Sequence, residues 1–440
     1  MTLAFLLVVF FALIVIGAPI AVALGASAIV TSMMFAPIPP EIVGQKVLSN
    51  LMHFTLMAVP FFFFAAALME TGGLVSRMVN FANSFVGHLR GGLGMTAVLP
   101  STLFAAISGS SPATVAAVGR VMYPSLVAEG YSRHYAIGAL AVSGSLGILI
   151  PPSIPMILYG FVTETSITRL FIAGIIPGLI YAGGLLGMAY FLARRHNTPM
   201  RPRATWRQRG VATRSALPAL MLPMVIFIGI YGFPGFELFG VRYQGGGIFT
   251  PTEAAVIAAL LALFVGLFIY RESSLRSVAN TVMETAPTVG MIFFITTNAL
   301  LFSFFITQLG VPAAVGRFLV ELNMPPWLFL LLVNILLVIV GLFLEGVPTI
   351  LMLIPVLFPA AVALGIDPVH FCIVVIVNIE LGLVTPPVGL NLFVGSAISR
   401  MEVLEVFRAV LPWMCVTIVV LILVTYIPEL SLFLPRLIMG

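Results

Sequence analysis

The chain has 440 residues, 61% of them hydrophobic and only 8% charged, with a mean hydropathy of +1.18. Soluble globular domains carry about 25% charged residues, so this composition excludes one and marks an integral membrane protein. The formal net charge of +5 does not point to nucleic acid. Most of the excess is one cluster, Arg194, Arg195, Arg201, Arg203, Arg207, Arg209 and Arg214, which in a membrane protein reads as a loop held on the cytoplasmic side.

The opening MTLAFLLVVFFALIVIGAPIAVALG has no basic region ahead of its apolar run and is too long for a signal sequence. It predicts a retained first span over about Leu3 to Met34, followed by the loop PIPPE (Pro37 to Glu41) and a second span over about Leu48 to Glu70. Next comes LVSRMVNFANSFVGHLRGG, with Arg77, His88 and Arg90 at a helical period, which suits an amphipathic arm along the interface. Gly91 to Ala106 leads into SGSSPAT, and Val115 to Val127 leads out of it. Neither limb crosses roughly 30 Å of hydrocarbon comfortably, so a re-entrant helical hairpin is expected over about 91–128. A helix broken by Pro151-Pro152 is expected over about 134–163, and a further span over about Leu170 to Ala193.

This arrangement returns later in the chain. The shift that places Thr114 on Thr349 also places Pro124 on Pro359, Gly130 on Gly365, Leu146-Gly147 on Leu381-Gly382, Pro151-Pro152 on Pro386-Pro387, Gly160 on Gly395 and Pro177 on Pro412, without a gap. Such self-similarity marks an internal duplication. The second hairpin is then expected over about 331–362 and the second broken helix over about 369–397. Residues 1–193 form one repeat and 251–440 the other. Between them, 194–250 holds the basic loop, one crossing helix at Ser215 to Gly232 and a glycine-rich outer loop 233–250.

With the arginine cluster inside, that single crossing flips the second repeat relative to the first, although Arg436 falls on the wrong side of the count. The expected fold is an all-α polytopic membrane protein of two inverted repeats, each with a re-entrant hairpin and a proline-broken helix. Secondary transporters are built this way, with their sites at the midplane. Alternating polar and apolar strands of about ten residues, which would mark an outer-membrane barrel, are absent from the sequence.

Candidate site residues follow from the breaks. At the first tip, Ser108, Gly109, Ser110, Ser111, Pro112 and Thr114 offer hydroxyls and free carbonyls; facing them are Ser143, Gly144, Ser145, Gly147, Pro151 and Pro152. The second copy offers Glu345, Gly346, Val347, Pro348 and Thr349 at its tip, with Asn378, Glu380, Gly382, Thr385, Pro386 and Pro387 at its break. Unwound carbonyls and hydroxyls suit a hard cation such as Na+, proline frees carbonyls upstream of itself, and the half-helix N-termini suit an anion. Glu345 and Glu380 weigh most, because an intramembrane carboxylate is costly. Taken singly, small Ser and Gly residues also pack membrane helices closely, and Ser or Thr often bonds back to its own helix; the repetition of both clusters beside paired prolines is what favours binding.

The remaining features are plainer. His53, His88, His134, His196 and His370 fall near expected helix ends and suit interfacial solvation; Cys372 and Cys415 sit in apolar runs as free thiols; Phe61 to Phe64 suit lipid-facing or packing surface. No HExxH, GxSxG or GxxxxGK[ST] occurs, which weighs against a membrane protease, an acyl hydrolase and an ATP-driven pump, and no cofactor is expected.

SGSSPATVAAVG followed by MYPSLVAEGY, then GILIPPSIPMILYG, ETSITRLFIAGIIPG and NIELGLVTPPVGLNLFV resemble the large membrane subunit of tripartite ATP-independent periplasmic (TRAP) transporters, of the DctM or SiaM type, along essentially the whole chain. The resemblance implies a Na+-driven importer with an elevator motion in a bacterial inner membrane. It also implies a small four-helix membrane subunit and a periplasmic binding protein as partners, and an organic acid anion such as a dicarboxylate or sialic acid as substrate. The tips and breaks named above would then hold Na+ and the substrate carboxylate, and Arg120 would be a substrate counter-charge or a helix-flank ion pair. The alternative within transport is a stand-alone ion-coupled symporter or antiporter of the same superfamily. A membrane-embedded enzyme lacks a catalytic constellation, and a channel lacks a repeated filter.

Overall fold

Prolines and glycines decide where this apolar chain stops being helical. The computed structural model describes residues 2–35, 39–89, 91–195, 198, 201–232, 236–238, 241–243 and 247–439. The start of the expected PIPPE loop, Arg90, His196 and parts of the glycine-rich loop (233–235, 239–240 and 244–246) lie outside them. Among the described residues, eight helices are long and apolar enough to cross a membrane.

The expected first span is instead a helical hairpin. Thr2–Val15 ends where Gly17 adopts a φ of +88°, and the amides of Gly17 and Ala18 turn back onto the carbonyls of Ile14 and Leu13, a left-handed cap that glycine forms without strain. Pro19 then leads into Ile20–Phe35, which folds back so that the rings of Phe5 and Phe35 lie 5.1 Å apart. The second span also starts later than Leu48. Pro40–Leu51 is a separate helix, His53 is extended, and a 3₁₀ turn at Phe54–Met57 leads into Ala58–Thr71. Leu74–Val86 forms the expected amphipathic arm, burying Leu74, Val75, Met78, Val79 and Ala82 on one face.

Two helical hairpins and two broken helices follow in matched order. The first hairpin pairs Gly92–Ser108 with Ser111–Ala128, and the first broken helix comprises Arg133–Ser143, Leu146–Leu149 and Ile154–Thr163. Ile167–Arg195, Trp206–Tyr231, Pro251–Phe264 and Leu275–Gln308 lead to a second arm, Val311–Glu321. The second hairpin pairs Pro326–Gly341, which begins before the expected residue 331, with Gly346–Ala363. Pro368–Leu383 and Leu390–Ser399 form the second broken helix, and Val403–Tyr426 and Glu429–Met439 complete the chain. In the glycine-rich loop, Phe236–Leu238 and Val241–Tyr243 pair as a short antiparallel ribbon, the one departure from an all-helical fold among the described residues.

The broken helices are the centre of the molecule. Every residue from 135 to 160 and from 369 to 384 is buried, as expected of helices that are apolar on all sides. His370 is buried with them, 3% exposed, rather than solvated at a helix end. Packing across the two halves is reciprocal: Ile154–Thr163 lies on Gly346–Ala363, and Leu390–Ser399 lies on Ser111–Ala128. Arg201, in the basic segment, forms an ion pair with Glu129 at the base of the first hairpin, and this hydrogen bond holds the Glu129 carboxyl below its usual range.

A close backbone approach joins the second hairpin to the second broken helix. A Cβ on Gly382 would stand 2.7 Å from the Cα of Gly341, so only glycine fits. Gly382→Val is expected to separate these helices at a cost of about 1–3 kcal/mol, the usual range for overpacking. Its apparent melting temperature in detergent should fall below wild type; an unchanged value would contradict this packing.

Candidate functional site

The first tip is spelled out by SGSSP. Gly109, at φ +56°, takes the left-handed cap that ends Gly92–Ser108. Ser110 is extended (φ −138°, ψ 127°), and Pro112 stands in the first turn of Ser111–Ala128, where its missing N–H is no loss. Ser108 Oγ lies 2.8 Å from Thr114 Oγ1, which donates to the Ser110 carbonyl at 2.9 Å. At the second tip Glu345 is extended and opens Gly346–Ala363, and Thr349 Oγ1 donates to the Glu345 carbonyl at 2.8 Å.

Each tip is tied to a break by one backbone hydrogen bond. The Ile154 amide donates to the Gly109 carbonyl (3.3 Å), and the Val388 amide donates to the Leu342 carbonyl (3.0 Å). Gly144 and Gly147 let the first break press onto the first hairpin. A Cβ on Gly147 would lie 2.6 Å from the Ser110 carbonyl oxygen, and one on Gly144 would lie 2.1 Å from Val115 Cγ2. Pro151 and Pro152 are buried behind this contact.

The two tips meet. Gly109, Ser110, Ser111 and Pro112 line the same cavity of ≈ 20 Å³ as Glu345, Gly346 and Val347, joined by Ile148, Ile154 and Pro155 from the first break, Leu383 from the second, and Phe63. Phe63 therefore has a place at the site that the FFFF run did not reveal. Pro348 and Thr349 are buried just behind the second tip.

Other predicted residues stand apart from the cavity. Ser143 donates to Ala139 O within its helix, and Thr385, just past the end of Pro368–Leu383, donates back to Leu381 O. Gly382 serves the helix contact with Gly341, Pro386 is half-buried, and Pro387 is exposed. Asn378 donates to Asn334 Oδ1 (2.8 Å), and Asn334 donates to Thr425 (3.0 Å), forming a separate polar chain. Arg120 pairs with Glu70 at 2.7 Å, which is the ion-pair alternative.

Glu380, 0% exposed, reaches across to the first hairpin. Its Oε2 accepts from Ser111 Oγ at 3.2 Å, and Ser145 and the Ile148 backbone also face it. Asn391, also 0% exposed, donates to Ser111 Oγ at 2.8 Å and to Ala141 O at 3.2 Å. Glu380 Oε1, Asn378 Oδ1 and Asn391 Oδ1 are buried without a partner among the described residues. Like Phe63, Asn334 and Asn391 are not among the residues expected from the sequence; a lone amide in an apolar run was the available signal. Buried and acceptor-rich, with the Glu380 carboxylate, this region has the oxygen donors that a hard cation takes, while the helix N-termini at the tips fit an anion.

Comparison with known proteins agrees with this architecture. Residues 7–430 match the family model described as the tripartite ATP-independent periplasmic transporter, DctM component. The chain is 45% identical over 413 residues to the C4-dicarboxylate TRAP transporter large permease protein DctM of Pseudomonas aeruginosa, covering 94% of this chain and 93% of that protein. It is 42% identical to the large permease DctM of Rhodobacter capsulatus, over 97% of each chain. The crystal structure of the Alcanivorax borkumensis YdaH transporter shares the fold, with a TM-score of 0.61 at 16% identity over 92% of this chain and 90% of that one. An apolar chain whose interrupted helices meet in its interior thus belongs to the DctM family, the large permease subunits of TRAP transporters.

Proposed function

We propose that this chain is the permease of a Na+-coupled importer of small organic acid anions, C4-dicarboxylates in particular, in a bacterial cytoplasmic membrane. The names of its relatives support the substrate class. A tripartite family supports two partners, a small four-helix membrane subunit and a periplasmic binding protein that delivers the anion.

The observation that carries the reading is the meeting of both tips at one small cavity. Three helices, Ser111–Ala128, Ile154–Thr163 and Gly346–Ala363, begin on its walls. Each N-terminus favours a nearby anion by about 0.3–1 kcal/mol, and Glu345 adds a carboxylate for a cation. Such walls suit a carboxylate and Na+ together. At ≈ 20 Å³ the cavity has room for one water-sized occupant, whereas pockets that enclose drug-sized ligands run to about 300–1,000 Å³. Substrate therefore enters only when the tips part, in keeping with hairpins and broken helices that move together as an elevator body. The reciprocal packing of the two halves supports inverted repeats, and the Arg201–Glu129 pair supports entry of the first hairpin from the cytoplasmic side.

The test is uptake of labelled C4-dicarboxylates into proteoliposomes holding this chain with its small subunit and binding protein. Uptake should require both an inward Na+ gradient and the binding protein. Gradient-independent uptake would overturn the Na+ coupling, and uptake without the binding protein would favour a stand-alone symporter. Glu345→Gln should raise the Na+ concentration for half-maximal uptake roughly tenfold, a loss of about 1.4 kcal/mol; an unchanged value would remove Glu345 from the site. Thr114→Val, which breaks the Ser108–Thr114–Ser110 bonding, should lower uptake by about tenfold or more with normal membrane insertion. Wild-type rates in inserted protein would contradict the role of the first tip.

A further inference from the structure

Breaking the first broken helix leaves one of its carbonyls without the usual partner. In an unbroken helix the Ser145 amide would donate to Ala141 O; here it donates to Val142 O at 3.0 Å. The Ala141 carbonyl is filled instead by Asn391 Nδ2 at 3.2 Å, from the first turn of Leu390–Ser399 on the other broken helix. The same nitrogen donates at 2.8 Å to Ser111 Oγ, the first residue after the tip Gly109-Ser110, and Ser111 donates on to Glu380. One amide thus joins both broken helices to the tip of the first hairpin, in an interior without water to replace it.

We propose that Asn391 is a positioning residue that locks the first hairpin tip against the two broken helices, and that its loss frees the tip. Asn391 is outside the tip cavity, so it acts through Ser111. Its counterpart in the other polar chain, Asn334, is also buried and amide-bonded, to Asn378 and Thr425, but has no bond to the first tip. That makes it a control for the general effect of deleting a buried amide.

Cys372→Ala and Cys415→Ala remove the two native thiols, and Ser110→Cys places a single thiol at the tip. Its alkylation rate by a maleimide in proteoliposomes, without substrate, reads tip opening. Asn391→Ala should speed labelling roughly tenfold, as for an opening equilibrium shifted by that factor. Asn391→Ser, which keeps one donor, should give an intermediate rate even if the alanine variant fails to accumulate. Ser111→Ala should speed labelling similarly, with no further gain in the double variant, because the two act as one unit. Asn334→Ala should leave the rate unchanged. Wild-type labelling in both Asn391 variants, equal acceleration by Asn334→Ala, or additive effects of Asn391→Ala and Ser111→Ala would each overturn the proposal. The readout needs neither Na+ nor a transported anion, so it stands or falls separately from the coupling proposed above.

Discussion

A helix interrupted inside an apolar interior exposes carbonyls and amides that water cannot reach, and each one left unpaired costs several kcal/mol. The arrangement around the tips follows from satisfying those groups. The carbonyl at the end of each first hairpin arm takes an amide from a proline break, Gly109 from Ile154 and Leu342 from Val388. The carbonyl freed inside the first broken helix takes an amide from Asn391. Hairpins and broken helices therefore stabilise one another's interruptions, which is why they pack together.

Charge is the second constraint. Glu380 is fully buried, and an isolated carboxylate there is costly unless something neutralises it. Its near neighbours are the Ser111 hydroxyl, Ser145 and the Ile148 backbone, and its second oxygen is unpartnered among the described residues. Glu345, half-buried on the cavity wall, supplies a second carboxylate near helix N-termini. Glu345 lines the tip cavity and Glu380 does not, so each buried or half-buried acid must find its compensation in its own surroundings.

Much of this was legible in the sequence because glycine and proline act locally. SGSSP announced the first tip, the paired prolines announced the breaks, and the periodic match at Thr114 and Thr349 announced that the pattern recurs. The turn at Gly17 to Pro19 was hidden because both flanking helices are uniformly apolar, so composition read them as one span. Partner identity across long distances was also hidden. Nothing near Asn391 signals that it serves Ala141, and Phe63 is lost among four phenylalanines; such pairings arise only when distant helices pack. Asn378, Gly382 and Thr385 lie outside the cavity, and the second break opens outward at Pro387, whereas the first is enclosed.

The central claim is that the two tips together close the site and must part for transport. The most direct measurement is a reversible cross-link between thiols introduced by Pro112→Cys and Val347→Cys, both on the cavity wall, in protein otherwise free of cysteine. The account predicts that oxidation joins them, that uptake stops in the cross-linked fraction, and that reduction restores it. Failure to cross-link, or full uptake by cross-linked protein, would contradict it.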